Sequence, residues 1–300
     1  MDEPNPRTAL RGRGCVLGVS WTQRNVAGSE SRYLGGLLEQ GIFLNTFMLA
    51  VVIVIAPAVL TGCLVLLARR FMHERVREGH NDVLVPLFLT AGTIYAVMLG
   101  FLVVVVWEAY GDAKGNVALE ASTLTTMYRQ TNGMDADELK AMREHIRAYT
   151  EAVVDKEWAI QQKTGGAAPE ARRQIAEIYR EFAHMPADTA NSSINREFLS
   201  QFSLVTAARN KRTLQAGEEV PWVLWLGLIG GATIVVALSC LLYMDTWWPQ
   251  VLVTGVLALM IGMLLFITVI LAKPFQGALA LEAGPFEHSL SVYKAVDGGG

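Results

Sequence analysis

The sequence predicts an all-α integral membrane protein with four transmembrane helices, arranged as two plus two around a helical extramembrane domain. Three observations support this fold class. The 300 residues are 52% apolar and 18% charged, with a mean hydropathy of +0.32, which is too apolar for an ordinary soluble domain of this length. The Lys, Arg, Asp and Glu residues leave four long windows free of charge. The segment between the second and third windows has the periodicity of amphipathic helices.

Each uncharged window is long enough to cross a bilayer, since a spanning α-helix needs about 20 apolar residues. The first window starts too far into the chain, and is too long, to be a cleaved secretory signal, so we interpret it as a retained helix. Five of the seven Trp residues lie at or near window ends, where indole rings favour the headgroup layer. The windows are Gly41–Ala68, Val83–Trp107, Val220–Met244 and Thr246–Ala272.

These windows divide the chain into five parts. The first part lacks apolar periodicity and is rich in Gly, Ser and Arg, so we expect it to be loosely ordered. The predicted parts are an N-terminal arm (1–41), a first transmembrane hairpin (42–107), a helical cytoplasmic domain (108–219), a second hairpin (220–272) and a C-terminal tail (273–300).

Four spans place both termini and residues 108–219 on one side of the membrane. Seven Lys and Arg residues flank the spans on that side and four flank them on the other, which favours a cytoplasmic location for the large segment. The pair Arg69 and Arg70, directly after the first span, favours the inverted topology, and that alternative stays open.

Residues 108–219 are predicted to form four helical stretches. The second span is expected to continue into water to about Arg129 and to stop at Thr131–Gly133. Asp135 and Glu138 fit the N-cap and N3 positions of a capping box for the next helix, which we expect to end at Gly165. The further helices are expected to run from Pro169 to Met185 and from about Ser193 to Gly217.

Three sets of residues are candidates for function, and each also fits plain packing or solvation. Hydroxyls and apolar side chains on the second span are candidates for a pore lining. Small residues at four-residue spacing predict close helix packing in lipid. Charges at the membrane boundary could pair with each other or gather ions. The sets are Thr90, Thr93, Phe101 and Val105 for the pore; Gly92, Ala96, Gly100, Gly227 and Gly231 for packing; and Glu108, Asp112, Arg209, Lys211 and Arg212 at the boundary.

Several function classes are disfavoured. No nucleophile elbow, phosphate-binding loop or metal-ligand spacing is present, which argues against an enzyme and against a bound cofactor or metal. A net charge of −3 without a basic block argues against nucleic-acid binding. The spans contain no charged residue or His, so a proton relay or a charged substrate site lacks its usual marker.

The run Ile94–Tyr110 (IYAVMLGFLVVVVWEAY) resembles the bacterial bestrophin-like domain family of membrane proteins. The resemblance extends over about residues 42–292, and its most specific part is the Tyr-Ala, Gly-Phe and Trp-Glu block within this run. One departure is Ala272, where the family pattern has an acidic residue. Further matches are Ala113, Glu120–Ala121, Leu124, Tyr128, Arg143 to Tyr149, Glu157–Trp158, Arg209–Arg212, Pro221–Trp222, Pro274–Gly277 and Pro285–Phe286.

What this resemblance implies is an oligomeric ion channel in a bacterial inner membrane. Bestrophins are pentameric channels whose second membrane helix lines a hydrophobic neck, so the expected partners are membrane lipid, further copies of this chain and small ions. The acidic C-terminal cluster associated with calcium gating is missing, because Asp297 is the only acid in residues 288–300. The alternative is a non-conducting membrane scaffold that acts through its helical cytoplasmic domain.

Overall fold

The structure, a computed structural model, describes residues 46–72, 81–185, 189, 192–218, 220–242, 244 and 246–298. All regular structure in these ranges is helical, which confirms the predicted class. The predicted N-terminal arm and residues 73–80 lie outside the described residues. The helices are a π-helical turn Val51–Ile55 with α1 (Ala56–Met72), α2 (Asn81–Gln130), α3 (Ala136–Ala152), α4 (Trp158–Thr164), α5 (Pro169–His184), α6 (Ser193–Gly217), α7 (Trp222–Leu241), α8 (Trp247–Leu271) and α9 (Gly284–Gly298).

Four of these helices are long and apolar enough to cross a membrane, as predicted. They fall in two pairs, with α3 to α6 between the pairs. Helix α2 alone is 50 residues long, or roughly 75 Å at 1.5 Å per residue, so it extends well beyond the membrane. The extramembrane helices lie on this extension. The candidate spans are Thr46–Leu67, Asn81–Gly133, Trp222–Leu241 and Trp247–Leu271.

The helix ends of the extramembrane domain largely match the predicted ones. A 3₁₀ turn at Thr131–Gly133 ends α2. Asp135 occupies the N-cap of α3, but its side chain makes no capping hydrogen bond, so the predicted capping box is not formed. The predicted continuous helix up to Gly165 is interrupted by a π-helical turn at Val153–Glu157. Gly165 ends α4 with a φ of 69°, a left-handed conformation that suits glycine.

The extramembrane helices enclose an apolar and aromatic core, which α2 enters from the membrane. Helix α9 belongs to this core, although the sequence analysis placed it in a tail. Its Phe286 and Tyr293 are fully buried, and Tyr293 stacks on Tyr128 of α2 with ring centroids 4.0 Å apart. The largest buried apolar side chains of this core are Leu124, Met127, Tyr128, Met142, Ile146, Tyr149, Phe198, Phe202, Phe275, Phe286 and Tyr293.

The spans share a smaller buried core. Within it α2 packs against α7 and α8, whereas α1 packs against α8 outside this core. Most large apolar side chains of the spans remain exposed within a single chain, as expected for surfaces that face lipid or another subunit. The buried apolar residues of this core are Tyr95, Leu99, Leu102, Val106, Leu228, Val235, Ile261 and Leu271.

Candidate functional site

Helix α2 has two different faces along the membrane. Tyr95, Leu99 and Val106 recur at helical spacing and are buried against the neighbouring spans. The same face continues beyond the membrane with Ala113 and Val117, which are buried in the extramembrane core. One side of α2 is therefore fixed to the chain's own helices over its whole length.

The other side of α2 carries the four predicted pore-lining residues. At about 100° per residue, Thr90, Thr93 and Phe101 lie opposite the packed face, and Val105 lies on its flank. All four are exposed in a single chain, and Phe101 is 71% exposed. The hydroxyls of Thr90 and Thr93 donate to carbonyl oxygens one turn earlier, at 2.8 and 2.7 Å, so they place no unsatisfied donor in the membrane.

The predicted boundary charges separate into two groups. Glu108 and Asp112 are exposed, on the same side of α2 as Phe101, directly beyond the uncharged stretch. Lys211 is exposed on α6. Arg209 and Arg212, in contrast, are buried in the extramembrane domain and pair with Glu157 and Glu120. Their expected pairing with Glu108 and Asp112 is therefore wrong, because α6 turns them towards α2 and the π turn.

The buried charges form one connected network. The Arg212 guanidinium donates through Nε to Glu120 Oε2 at 2.7 Å and through Nη2 to Glu157 Oε1 at 2.8 Å. Its Nη1 donates to Gln161 Oε1 at 2.9 Å. Arg209 Nη2 donates to Glu157 Oε2 at 2.8 Å. The two arginines and the two glutamates balance in charge, which is the condition under which such a buried cluster is tolerated.

Burial and the charges of this network change the pKa values of Arg212 and Tyr149. Burial works against the charged guanidinium of Arg212, but the carboxylates of Glu120 and Glu157 outweigh it and raise the Arg212 pKa. Burial, together with the negative charge of Glu120, raises the pKa of Tyr149 well above its usual range. The neutral Tyr149 hydroxyl therefore donates to Glu120 Oε1.

Local backbone geometry places the Glu157 carboxylate in the network. The π-helical turn Val153–Glu157 ends where α4 begins, and π turns rotate the following side chains relative to a regular helix. The Glu157 carboxylate also accepts from the backbone N–H of Ala168, at 2.9 Å, just before α5. One side chain thus joins α4, α5 and α6, and Arg212 connects them to α2.

A second polar cluster holds α9 against α2 and α3. The carboxylate of Asp297 accepts hydrogen bonds from the Tyr128 hydroxyl and from Arg143 Nη1, the latter at 2.9 Å, and also pairs with Arg147. Hydrogen bonding by Asp297 and burial both raise the pKa of Tyr128, with burial the larger cause. Ser289 adds a hydrogen bond to the backbone of Ala121 at 3.0 Å.

The five predicted packing residues also differ from one another. An added Cβ at Gly231 would lie 2.6 Å from the Tyr95 ring, so α7 approaches α2 closely at that point. An added Cβ at Gly92, Gly100 or Gly227 would meet no atom of the chain within 4 Å, and Ala96 is exposed. Within one chain the predicted close packing occurs at Gly231.

Sequence reasoning missed the main features of the buried network. Glu120, Glu157 and Tyr149 were noted only as positions of a resemblance or of an apolar stripe. One signal was available, because Glu120 falls on the apolar stripe of α2 between Val117 and Leu124, where a lone acid requires a buried partner. The π turn that presents Glu157 has no comparable signal in the sequence.

The fold and these sites define a class of protein: a membrane protein with four spans in two pairs and a helical domain on the continuation of the second span. The bestrophin-like domain pattern matches residues 54–286, and the chain belongs to this family. The resemblance found in the sequence is confirmed.

Solved structures share this fold. A crystal structure of a bacterial bestrophin homolog from Klebsiella pneumoniae is 14% identical, with a TM-score of 0.65 over 81% of this chain and 98% of that chain. A singly substituted form of that homolog is 12% identical, with a TM-score of 0.62 over 87% of this chain and 99% of that chain. No curated protein matches the chain at a significant level.

Proposed function

We propose that this protein is an oligomeric ion channel and that the second transmembrane helix lines its pore. The observation that carries the proposal is the unpartnered side of α2, where Thr90, Thr93, Phe101 and Val105 are exposed while the opposite side is packed. A ring of such helices would enclose a lumen lined by hydroxyls and apolar side chains. Apolar constrictions of this kind gate by excluding water.

The residues that flank this face fit the same arrangement. Glu108 and Asp112 would stand at the mouth of the lumen, where repeated charges raise the local concentration of small ions. Gly92, Ala96 and Gly100 are unpacked within one chain and would let neighbouring copies approach closely. Membership of the bestrophin-like family supports a pentamer as the assembly.

The location follows from the same proposal. We place the chain in the bacterial inner membrane, with residues 108–219 and both termini in the cytoplasm, in accord with the excess of Lys and Arg on that side of the spans. A reporter fused after Gly300 tests this orientation. No catalytic activity is part of the proposal.

The oligomeric mass of the protein tests the channel first. Native mass spectrometry of protein released from lipid nanodiscs should give a closed ring of 32.8 kDa chains, with a pentamer as the expected state. A monomer or a simple dimer would contradict the channel and favour the scaffold, because the proposed lumen needs α2 helices from several copies.

A Cys scan of residues 86–107 then locates the lumen, in a background from which Cys15, Cys63 and Cys240 have been removed. A water-soluble thiol reagent should label substitutions at Thr90, Thr93 and Phe101, and should leave Leu99 and Leu102 protected. A lipid-facing helix would be protected along its whole length, so uniform protection would overturn the pore-lining role of α2.

A further inference from the structure

A cavity of about 490 Å³ lies between α1, α7 and α8, inside the membrane-spanning region. This volume lies within the range of small-molecule binding pockets, roughly 300–1,000 Å³. The lining residues that the structure describes come from these three spans and none comes from α2. The cavity is therefore separate from the proposed pore face.

The cavity follows from the way the three spans pack. Pro57 has no N–H, so the carbonyl of Ile53 has no regular helical donor, and the preceding turn Val51–Ile55 is π-helical. Helix α8 approaches this turn so closely that an added Cβ at Gly262 would lie 2.6 Å from the Ile53 oxygen. Helix α7 instead approaches α2 at Gly231. A wedge is left open where α7 diverges from α1 and α8.

The chemistry of the lining is suited to an apolar ligand. Its two threonine hydroxyls are already used, since Thr61 donates to Pro57 O at 2.7 Å and Thr233 donates to Ile229 O at 2.8 Å. The remaining side chains are apolar apart from the Cys240 thiol. Dry cavities lined by apolar side chains take up hydrocarbon in preference to water.

A polar clamp lies beside the end of the cavity that is near the connector between α7 and α8. Arg69 Nε donates to Gln250 Oε1 at 2.7 Å, and Gln250 Nε2 donates to the carbonyls of Cys240 and Leu242 at 3.2 and 2.7 Å. Cys240 also lines the cavity. The clamp connects α1 to the α7–α8 connector, and the cavity ends beside it at this membrane boundary.

We infer that this cavity binds the acyl chain of a membrane lipid. The surrounding medium is bilayer hydrocarbon, because the residues at the cavity, such as Leu60 and Ile229, belong to spans and are more than half exposed. A helix of a second copy is about 10–12 Å wide with its side chains and does not fit a wedge of this volume. The inference depends on the four spans, and it holds whether or not the protein conducts ions.

Photolabelling tests the inference. The probe is a phosphatidylcholine with a diazirine at the end of one acyl chain, titrated into the full-length protein in dodecyl maltoside micelles, and adducts are located by peptide mass spectrometry. We expect saturable labelling on the cavity-lining residues of α1, α7 and α8, displaced by unlabelled phosphatidylcholine. Labelling that rises without saturation and is equal on lipid-facing residues outside the cavity would overturn the inference.

A pair of matched variants gives the test its specificity. Ala237→Phe fills the cavity from α7, and we expect about tenfold lower labelling, equivalent to about 1.4 kcal/mol. Ile234→Phe places the same ring on an exposed position of α7 outside the cavity and should keep the labelling. If circular dichroism shows that Ala237→Phe is unfolded, Ala237→Leu decides the question. Unchanged labelling in a folded Ala237 variant would refute lipid binding.

Discussion

The extramembrane domain buries charged side chains among aromatic ones, whereas the spans pack closely through glycines. In the domain, Glu120, Glu157 and Arg212 are completely buried among aromatic side chains. The uncharged stretches of the spans, by contrast, have no charge to bury, and among their glycines Gly231 and Gly262 approach a neighbouring span most closely. The domain is held together by side chains that exclude water, and the spans by the close approach of helices at these glycines.

The difference follows from the solvent around each half. Water drives apolar side chains of the domain into a core, and that core can include charges only if each is paired. Lipid is as apolar as the side chains of the spans, so burial there brings little gain and small residues improve packing. The cavity between α1, α7 and α8 fits this view, because hydrocarbon can fill a gap between spans at little cost.

Arg212→Met should give the largest effect. It leaves Glu120 and Glu157 buried with one arginine between them, which costs about 3–5 kcal/mol in such cases. Urea unfolding of the full-length protein in detergent micelles, followed by circular dichroism, measures the loss. Hydrogen exchange should be faster in residues 136–164 and unchanged in α7 and α8.

Two matched variants sharpen this prediction. The double variant Glu120→Met with Arg212→Met removes one charge of each sign and leaves Glu157 paired with Arg209, so most of the stability should return. Arg180→Met removes an exposed arginine that pairs with Glu177 and should cost less than about 1 kcal/mol. If the single and double variants are equally unstable, charge imbalance is not the cause.

Gly262→Ala should destabilise the spans by about 1–3 kcal/mol, because the new Cβ meets the Ile53 carbonyl in the π-helical turn before α1. Gly255→Ala, on the same helix, meets no atom within 4 Å and should be neutral or stabilising by about 0.5–1 kcal/mol. SDS titration in mixed micelles, followed by circular dichroism, measures both. Equal costs at the two glycines would refute the close approach of α8 to α1.

Most of the fold could be predicted from the sequence because its signals are local. An uncharged window of about 25 residues has few alternatives to a spanning helix. Pro169 and Gly165 mark helix ends through their own backbone preferences. Helix α9 was missed because its apolar residues, Phe286 and Tyr293, are few, and its docking depends on contacts with the distant Tyr128.

The charge network could not be predicted because its spacing in the chain is long. Arg212 meets Glu120 across 92 residues. A pairing with Glu108 and Asp112 was the simpler expectation because all these charges lie close to the ends of uncharged windows. The π turn that presents Glu157 depends on packing between helices and not on a residue preference. The exposed face of α2, in contrast, could be predicted, because helical periodicity alone separates it from the packed face.

Asp297→Asn should loosen α9, with an intermediate effect. The substitution removes the carboxylate charge that accepts hydrogen bonds from Tyr128 and Arg143 and pairs with Arg147. We expect this loss to cost about 1–2 kcal/mol, after allowing for the partial exposure of the carboxylate. Faster amide exchange confined to residues 284–298 checks it. Lys294→Gln alters an exposed charge on the same helix and should leave exchange unchanged.

The smallest effect is expected from Tyr149→Phe, and it depends on pH. The raised pKa of Tyr149 means that the fold favours the neutral hydroxyl, so this contribution is complete below about pH 10 and is lost as the pH rises towards the folded-state pKa. Phenylalanine removes the hydrogen bond to Glu120, at about 1 kcal/mol, and also removes this part of the alkaline sensitivity. Urea unfolding at about pH 9 and about pH 11 should therefore show a smaller decrease in the variant than in the wild type. An equal decrease in both proteins would mean that Tyr149 ionises as freely in the folded domain as in the unfolded chain. The domain core would then tolerate an unpaired negative charge, contrary to what its paired network indicates.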